Sequence, residues 1–356
     1  MAPGRPTDNT PVDLLACSFA ELTDFVGSRT RAVALRKWLY GASPVPHALP
    51  ESVPGVAQSV WVSVRERATF PTWRLVGRRE SEDGTVKYAI DLAGATVEAV
   101  LIPGDRRSTV CVSSQAGCTR RCVFCATASL GFHRQLTTAE ILLQYLVAAS
   151  EAPPGRPARN VVFMGMGEPM DNIESVLPAV DRLVENPSPG LAEAHVTVST
   201  SGVLPGLRRF LAEGRGQLTV TLSATTDAVR ERLIPHTRQW PIADLLAALR
   251  DDPRAGPGRR HLIAYVLWEG VNDSDEDAHR LGQLLVGLPV NVNLIPHNRV
   301  ASSELRPPAA SRIERFHAIV SEHGLRCILR RPRGSEIAAA CGQLALETAA
   351  DLRCAG

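Results

Sequence analysis

Three cysteines, spaced Cys118-x3-Cys122-x2-Cys125, narrow what this chain can become more than any other feature. They follow directly on a candidate strand at 109–113. Iron–sulfur clusters are held by thiolates, and three protein ligands leave one iron open to a further ligand. A fourth cysteine would close that coordination, so a count of three is informative. Zinc is the alternative, although zinc knuckles more often pair their cysteines as Cys-x2-Cys. The chain has eight cysteines in all, at 17, 111, 118, 122, 125, 327, 341 and 354. No apolar signal segment precedes them: Met1–Asp13 is polar and proline-containing and reads as a disordered tail. A cytoplasmic, reducing setting is therefore expected, which argues against a disulfide framework and toward metal or redox chemistry.

With 356 residues there is room for one large domain and a small accessory one. No apolar run reaches the length of a membrane span. Net charge is only +2, so charge does not announce a nucleic-acid partner, and all but two of the 39 basic residues are arginine, Lys37 and Lys87 being the exceptions. That bias fits a GC-rich genome as well as it fits phosphate binding.

Patterning divides the chain into a disordered tail at 1–13, a helical accessory domain at 14–72, a strand extension at 73–106, a core at 107–335 and a C-terminal segment at 336–356. In the helical part, Ser18 and Glu21 make a capping-box pattern, and 31–40 is an amphipathic helix stopped by Gly41. The period then changes to two, with strands at 74–77, 85–90 and 96–102 and a turn at Glu82-Asp-Gly84. Beyond 107 strands and helices alternate, the strands at 109–113, 160–164, 195–199, 217–222, 261–267, 290–295 and 326–329. Helices are expected at 138–149, capped by Thr137 and Glu140, at 313–323 and at 336–346. The fold class predicted is α/β: six or so βα units forming a partial, open parallel barrel with its chemistry at the strands' C-terminal ends.

Polar residues gather at those ends. Gly165-Met-Gly167-Glu168-Pro169 follows the second core strand, where glycines let a ligand approach the backbone and Glu168 can accept a hydrogen bond from the ammonium of S-adenosylmethionine (SAM). Ser199 and Ser201 end the third strand, Thr221, Leu222 and Ser223 the fourth, and Asn298 follows the sixth. Each alone also reads as a turn or cap residue. Cys111, on the first core strand, and Cys341, within a helix or at its end, read singly as buried structural thiols, as do Cys17, Cys327 and Cys354. Glu98 alternates with apolar neighbours and on pattern alone is a solvated strand face.

Taken together, these residues resemble the RlmN/Cfr family of radical SAM RNA methyltransferases over nearly all of 14–345. The likeness runs through Val97-Glu-Ala-Val-Leu-Ile-Pro103, Cys111-Val-Ser-Ser-Gln-Ala-Gly-Cys118, Cys122-Val-Phe-Cys-Ala-Thr127, Gly131-Phe132 and Val161-Val-Phe-Met-Gly-Met-Gly-Glu-Pro169. It continues in Val198-Ser-Thr-Ser-Gly202, Gly270-Val-Asn-Asp273, Asn293-Leu-Ile-Pro296, Arg333-Gly334 and Ala340-Cys-Gly-Gln-Leu344, and Arg36-Lys-Trp-Leu-Tyr-Gly41 is similar to the family's small RNA-holding helical domain. Ala128 stands where the family usually has glycine, and Ser223 where histidine is common.

The resemblance implies one 4Fe-4S cluster on Cys118, Cys122 and Cys125, and two SAM molecules per turnover. SAM would be bound around Gly167, Glu168, Ser199, Thr221, Leu222, Ser223 and Asn298. It implies that Cys341 carries the methyl group, Glu98 accepts a proton and Cys111 resolves a covalent protein–RNA adduct. Adenine carbon 2 is too electron-poor to attack SAM as an ordinary nucleophile, so the cofactors carry the hard step. The implied substrates are an adenosine of 23S rRNA near the peptidyl-transferase centre and the adenosine 3′ of some tRNA anticodons. The other expectations are a low-potential flavodoxin- or ferredoxin-like electron donor, no membrane, and a monomer. Arg120–Arg121, Arg134, Arg208–Arg209 and Arg330–Arg333 are candidate phosphate contacts around a splayed-out base. Carbon-8 methylation, a paralogue with another substrate and a non-catalytic RNA-binding module stay open as alternatives.

Overall fold

The computed structural model describes residues 11–256, 258–298, 303–330 and 333–346. Most of the expected N-terminal tail, Arg331, Cys354 and everything after 346 lie outside the described residues. Ten strands form one sheet in strict chain order: β1 Trp73–Glu80, β2 Val86–Leu92, β3 Ala95–Ile102, β4 Ser108–Cys111, β5 Ala158–Phe163, β6 Val196–Thr200, β7 Gln217–Thr221, β8 His261–Leu267, β9 Val290–Pro296 and β10 Cys327–Leu329. From β4 to β10 every neighbouring pair is parallel, and β1 to β4 are joined antiparallel. All seven expected core strands and the three extension strands are present. Among the described residues β1 and β10 do not pair with each other, so the sheet is open between them.

Parallel strands sandwiched by helices read as near-continuous apolar runs, as Val290, Val292 and Leu294 of β9 do, all buried. Among the covering helices, Thr138–Ser150 is buried along its whole middle, from Ala139 to Ala148. It packs on the helix Ile173–Val184 and across β2 to β5, so core and extension enclose it from several sides. Its reciprocal Thr137–Glu140 cap is present as the sequence indicates.

In the N-terminal part, Ser18 and Glu21 cap Phe19–Val26 in the expected box. The next helix runs Arg29–Gly41, so Gly41 is its last residue and not its stop. The backbone turns extended at Ala42, just before Pro44. Val12 and Asp13 pair with Ala68 and Thr69, closing this unit on itself. Arg36 pins it to the core. Although fully buried, its guanidinium donates to Cys17 O (2.8 Å), Ser188 O (2.9 Å) and Glu185 Oε2 (2.7 Å).

The helix expected at 336–346 does not form. One 3-10 turn, Ser335–Ile337, is followed by Ala338 and Gly342 in the left-handed region, at φ 51° and 83°, which no α-helix tolerates. The segment's polar groups instead bond sideways. Ala126 N donates to Gly342 O (2.7 Å) and Thr127 Oγ1 to Leu344 O (2.7 Å), while Leu346 N donates to Glu98 Oε2 (3.3 Å). With Arg333 bonded to Asp83 Oδ2 (2.7 Å) and Pro103 O (3.1 Å), residues 333–346 reach from the β10 edge across to the β2–β3 extension.

Arg36→Met removes a buried guanidinium that ties Cys17 O, Ser188 O and Glu185 together, leaving Glu185 with Arg182 and the Phe19 N–H. Unfolding in urea should show a loss of about 3 kcal/mol; a change within about 0.5 kcal/mol would mean that the accessory unit is not held to the core through this residue.

Candidate active site

The C-terminal ends of the strands surround a cavity of about 1160 Å³ of empty space, part of it open to solvent. Cys118, Cys122 and Cys125 border it with Gly167, Glu168, Ser199, Thr221, Asn298 and Cys341. The cysteine loop is closed by an antiparallel hairpin that sequence patterning did not indicate, Gln115–Gly117 with Phe132–Gln135. At its neck a Cβ on Gly117 would lie 1.9 Å from Gly131 O, so glycine alone fits there. Phe124 anchors the loop on Trp268, ring centroids 4.9 Å apart.

Glu168 is buried, and its carboxylate accepts from Ser201 N (2.8 Å), Ser201 Oγ (2.7 Å) and Met170 N (3.1 Å). Burial pushes its carboxyl above the ordinary range, a shift that a cationic neighbour would offset. Its backbone N–H donates to Gln115 Oε1 (2.9 Å). Gly167, at φ 98°, lies so close to Gln115 that an added Cβ would sit 2.6 Å from that side chain. Leu222 and Ser223 stand behind the wall. Leu222 is core, and the buried Ser223 Oγ accepts from Val266 N (3.3 Å). Neither residue lines the cavity. Ala128 sits in an ordinary 3-10 turn, its N–H donating to Cys125 O (3.1 Å).

Cys341 is exposed and borders a second, smaller cavity together with Cys111, Met164, Asn298 and Arg330. Asn298 Nδ2 donates to Cys341 O (3.2 Å). Burial pushes the Cys111 thiol up to about 12, with Cys341 adding to the shift and Arg330 opposing it. Glu98 borders neither cavity. It is buried, not a solvated strand face: Leu346 closes over it and Lys87 Nζ pairs with it at 3.2 Å.

Residues 112–282 match the model of the Radical SAM superfamily. The chain is 41% identical over 332 residues to a protein of Anaeromyxobacter dehalogenans named dual-specificity RNA methyltransferase RlmN, covering 89% of this chain and 86% of that one. A protein of the same name from Geobacter sulfurreducens is 39% identical, covering 94% and 92%. A radical SAM methyltransferase structure from Sphaerobacter thermophilus superposes with a TM-score of 0.85 at 36% identity, covering 95% of this chain and all of that one. The chain belongs to the RlmN/Cfr family of radical SAM RNA methyltransferases.

The family's cofactors are a 4Fe-4S cluster and SAM, and the cavity suits both. Among the described residues no three His, Cys, Asp or Glu side chains converge tightly enough for a single metal ion. Three thiols spread around one cavity suit a cluster, whose cysteines bind separate irons, better than one zinc. Burial lifts all three above the usual thiol range, Cys118 to about 12; iron binding displaces those protons. In the same lining the buried Thr219 Oγ1 and His297 Nε2 have no partner among the described residues, as a wall for a polar ligand would. Burial holds His297 down to about 4, hence neutral.

Sequence reasoning missed Gln115, Thr219, Asn293, His297 and Lys87. For Thr219 and Asn293 a signal existed, because polar residues at alternate positions of apolar parallel strands mark an inner wall. Of the arginines offered for phosphate, Arg120 pairs with Asp171, Arg134 with Glu140, Arg209 with Glu174 and Arg333 with Asp83. Arg121, Arg208 and Arg330 meet no carboxylate among the described residues. No helix among the described residues is long and apolar enough to cross a membrane.

Replacing any one of Cys118, Cys122 or Cys125 by Ala should leave anaerobically purified protein nearly free of bound iron and sulfide and unable to cleave SAM. Colourless, zinc-loaded protein that still methylated RNA would exclude a cluster here.

Proposed function

We propose that this protein methylates carbon 2 of an adenosine in structured RNA through a methyl group carried on Cys341. The proposed targets are 23S rRNA near the peptidyl-transferase centre and the adenosine 3′ of some tRNA anticodons. The position of Cys341 carries this reading. One thiol borders both the chamber of Cys118, Cys122, Cys125 and Glu168 and the cavity of Cys111. A carrier must meet its methyl donor on one side and its resolving partner on the other.

In this scheme Cys118, Cys122 and Cys125 hold the cluster. Gly167, Glu168, Ser199, Thr221 and Asn298 hold SAM, with Leu222 and Ser223 behind them. When bound, the cluster supplies the electron that cleaves SAM to a 5′-deoxyadenosyl radical, replenished by a flavodoxin- or ferredoxin-like donor. Two SAM molecules are used per turnover, one to methylate Cys341 and one to activate that methyl group. Glu98 takes the proton from carbon 2. The adduct's unpaired electron returns to the oxidised cluster. Cys111 then attacks the Cys341 sulfur, and the electron pair of the broken carbon–sulfur bond stays on the methylene carbon, which takes a proton to become the methyl group. An external dithiol reductant reopens the Cys111–Cys341 disulfide before the next turnover. The segment at 336–346 must lift from Glu98 for the base to reach it. The helical unit at 14–72 holds RNA beside the mouth, the extension at 73–106 and core at 107–335 build the chamber, and the enzyme works as a monomer.

Nucleoside mass spectrometry of rRNA and tRNA should show 2-methyladenosine with the gene present and its loss on deletion. Detection of 8-methyladenosine alone would assign the carbon-8 reaction instead.

Cys111→Ala should stop after attack on RNA, giving on denaturing gels a slower protein band that ribonuclease removes; normal turnover without that band would return Cys111 to a structural role. Because Cys111's thiol is raised to about 12, the attacking thiolate is scarce at neutral pH. Release of product from a preformed adduct should therefore accelerate about tenfold per pH unit between about pH 7 and pH 9. A flat profile would show that this deprotonation does not limit release.

A further inference from the structure

The antiparallel extension brings Lys87 to Glu98. Lys87 on β2 stands opposite Val100 on β3, and Val100 stands opposite Cys111 on β4. Glu98 lies two residues from Val100, opposite Ala89. Residues opposite each other across antiparallel strands share a face, as do residues two apart. Lys87, Glu98 and Cys111 therefore lie on one face, and Ile102 and Cys111 of that face border the second cavity. Lys87 Nζ is 3.2 Å from Glu98 Oε1, with the two side chains 5% and 2% exposed. It also donates to Ala338 O (3.4 Å) in the segment that carries Cys341. In a chain whose other basic residues are arginine except for Lys37, one of two lysines is spent on this buried position.

A carboxylate so enclosed needs an opposite charge at hand. Glu98 also has few other polar contacts: its side chain accepts from Leu346 N (3.3 Å), on the segment that must move. When that segment lifts, Lys87 is the described partner that stays, because it is fixed on the neighbouring strand. We propose that Lys87 is the positioning residue for Glu98, fixing the place of its carboxylate from the adjacent strand. No bond to Lys87 is made or broken. The proton moves from adenine carbon 2 to a Glu98 oxygen, and Lys87 takes no part in that transfer. This inference rests on the proton-acceptor reading of Glu98 given above.

The experiment uses the cluster-loaded enzyme with SAM, a chemical reductant and an RNA fragment bearing the target adenosine. It compares Lys87→Met, Glu98→Gln and the double variant. Lys87→Met should lower kcat at least tenfold with KM for RNA changed less than twofold. The yield of methylated RNA per 5′-deoxyadenosine formed should fall as much, while RNA-linked protein accumulates. If Lys87→Met alone cannot fold around an unpaired carboxylate, the double variant, with a neutral pair, decides the matter. Its kcat should equal that of Glu98→Gln within twofold, because Lys87 acts only through Glu98. A further tenfold drop in the double variant, or wild-type kcat in a folded Lys87→Met, overturns the proposal. Wild-type kcat in Glu98→Gln would instead overturn the role of Glu98 itself, and this inference with it.

Discussion

A sheet of seven parallel strands that does not close leaves an unfinished wall, and the rest of the molecule is arranged around that opening. Among the described residues β10 ends the parallel run without reaching β1, so the inner face would stand open on one side. Residues 333–346 cross the opening. Their backbone cannot be left unpaired where it is buried, and its partners are Ala126 and Thr127 of the cysteine loop, Lys87 and Glu98 of the extension, and Asn298 at the end of β9. The position of Cys341 is thereby tied to the cysteine loop on one side and to the extension on the other.

The three antiparallel strands before the core continue the parallel sheet and turn the same inner face to the segment at 338–346. Ladder register decides which side chains arrive there. A slip of one residue in β3 would exchange Glu98 for Val97 or Ala99 and carry the charge to the other face. The cysteine loop is held by comparable constraints. Gly117 admits Gly131 at its neck, Phe124 rests on Trp268, and Gln115 joins the loop to the glycine turn that carries Glu168.

Charge in this protein is mostly spent on the fold. Arginines exposed in sequence order proved to be tied to carboxylates of neighbouring elements, as in Arg120–Asp171 and Arg134–Glu140. These largely buried pairs fix loop geometry around the mouth. They also leave Arg121, Arg208 and Arg330 without carboxylate partners among the described residues, a smaller basic surface than the composition suggests.

The sequence by itself determined the strand–helix alternation, the open parallel sheet and the grouping of Cys118, Cys122, Cys125 and Glu168, because these rest on local periodicity and short spacings. Strand positions such as 261–267 agree with the structure to the residue, since a buried parallel strand has no reason to depart from its apolar run. Segments whose conformation depends on distant partners were not legible. The stretch at 336–346 has helical character in isolation, yet its hydrogen bonds are taken by residues some 200 positions earlier, and Ala338 and Gly342 turn left-handed to reach them. Ser223 looked like a ligand residue because it ends a strand, but its hydroxyl serves Val266 instead. Glu98 looked solvated because alternation marks two faces without saying which is covered. Only tertiary structure buried that face beneath the segment at 338–346 and set Lys87 against it, because which face is buried depends on what packs there and not on the strand's own residues.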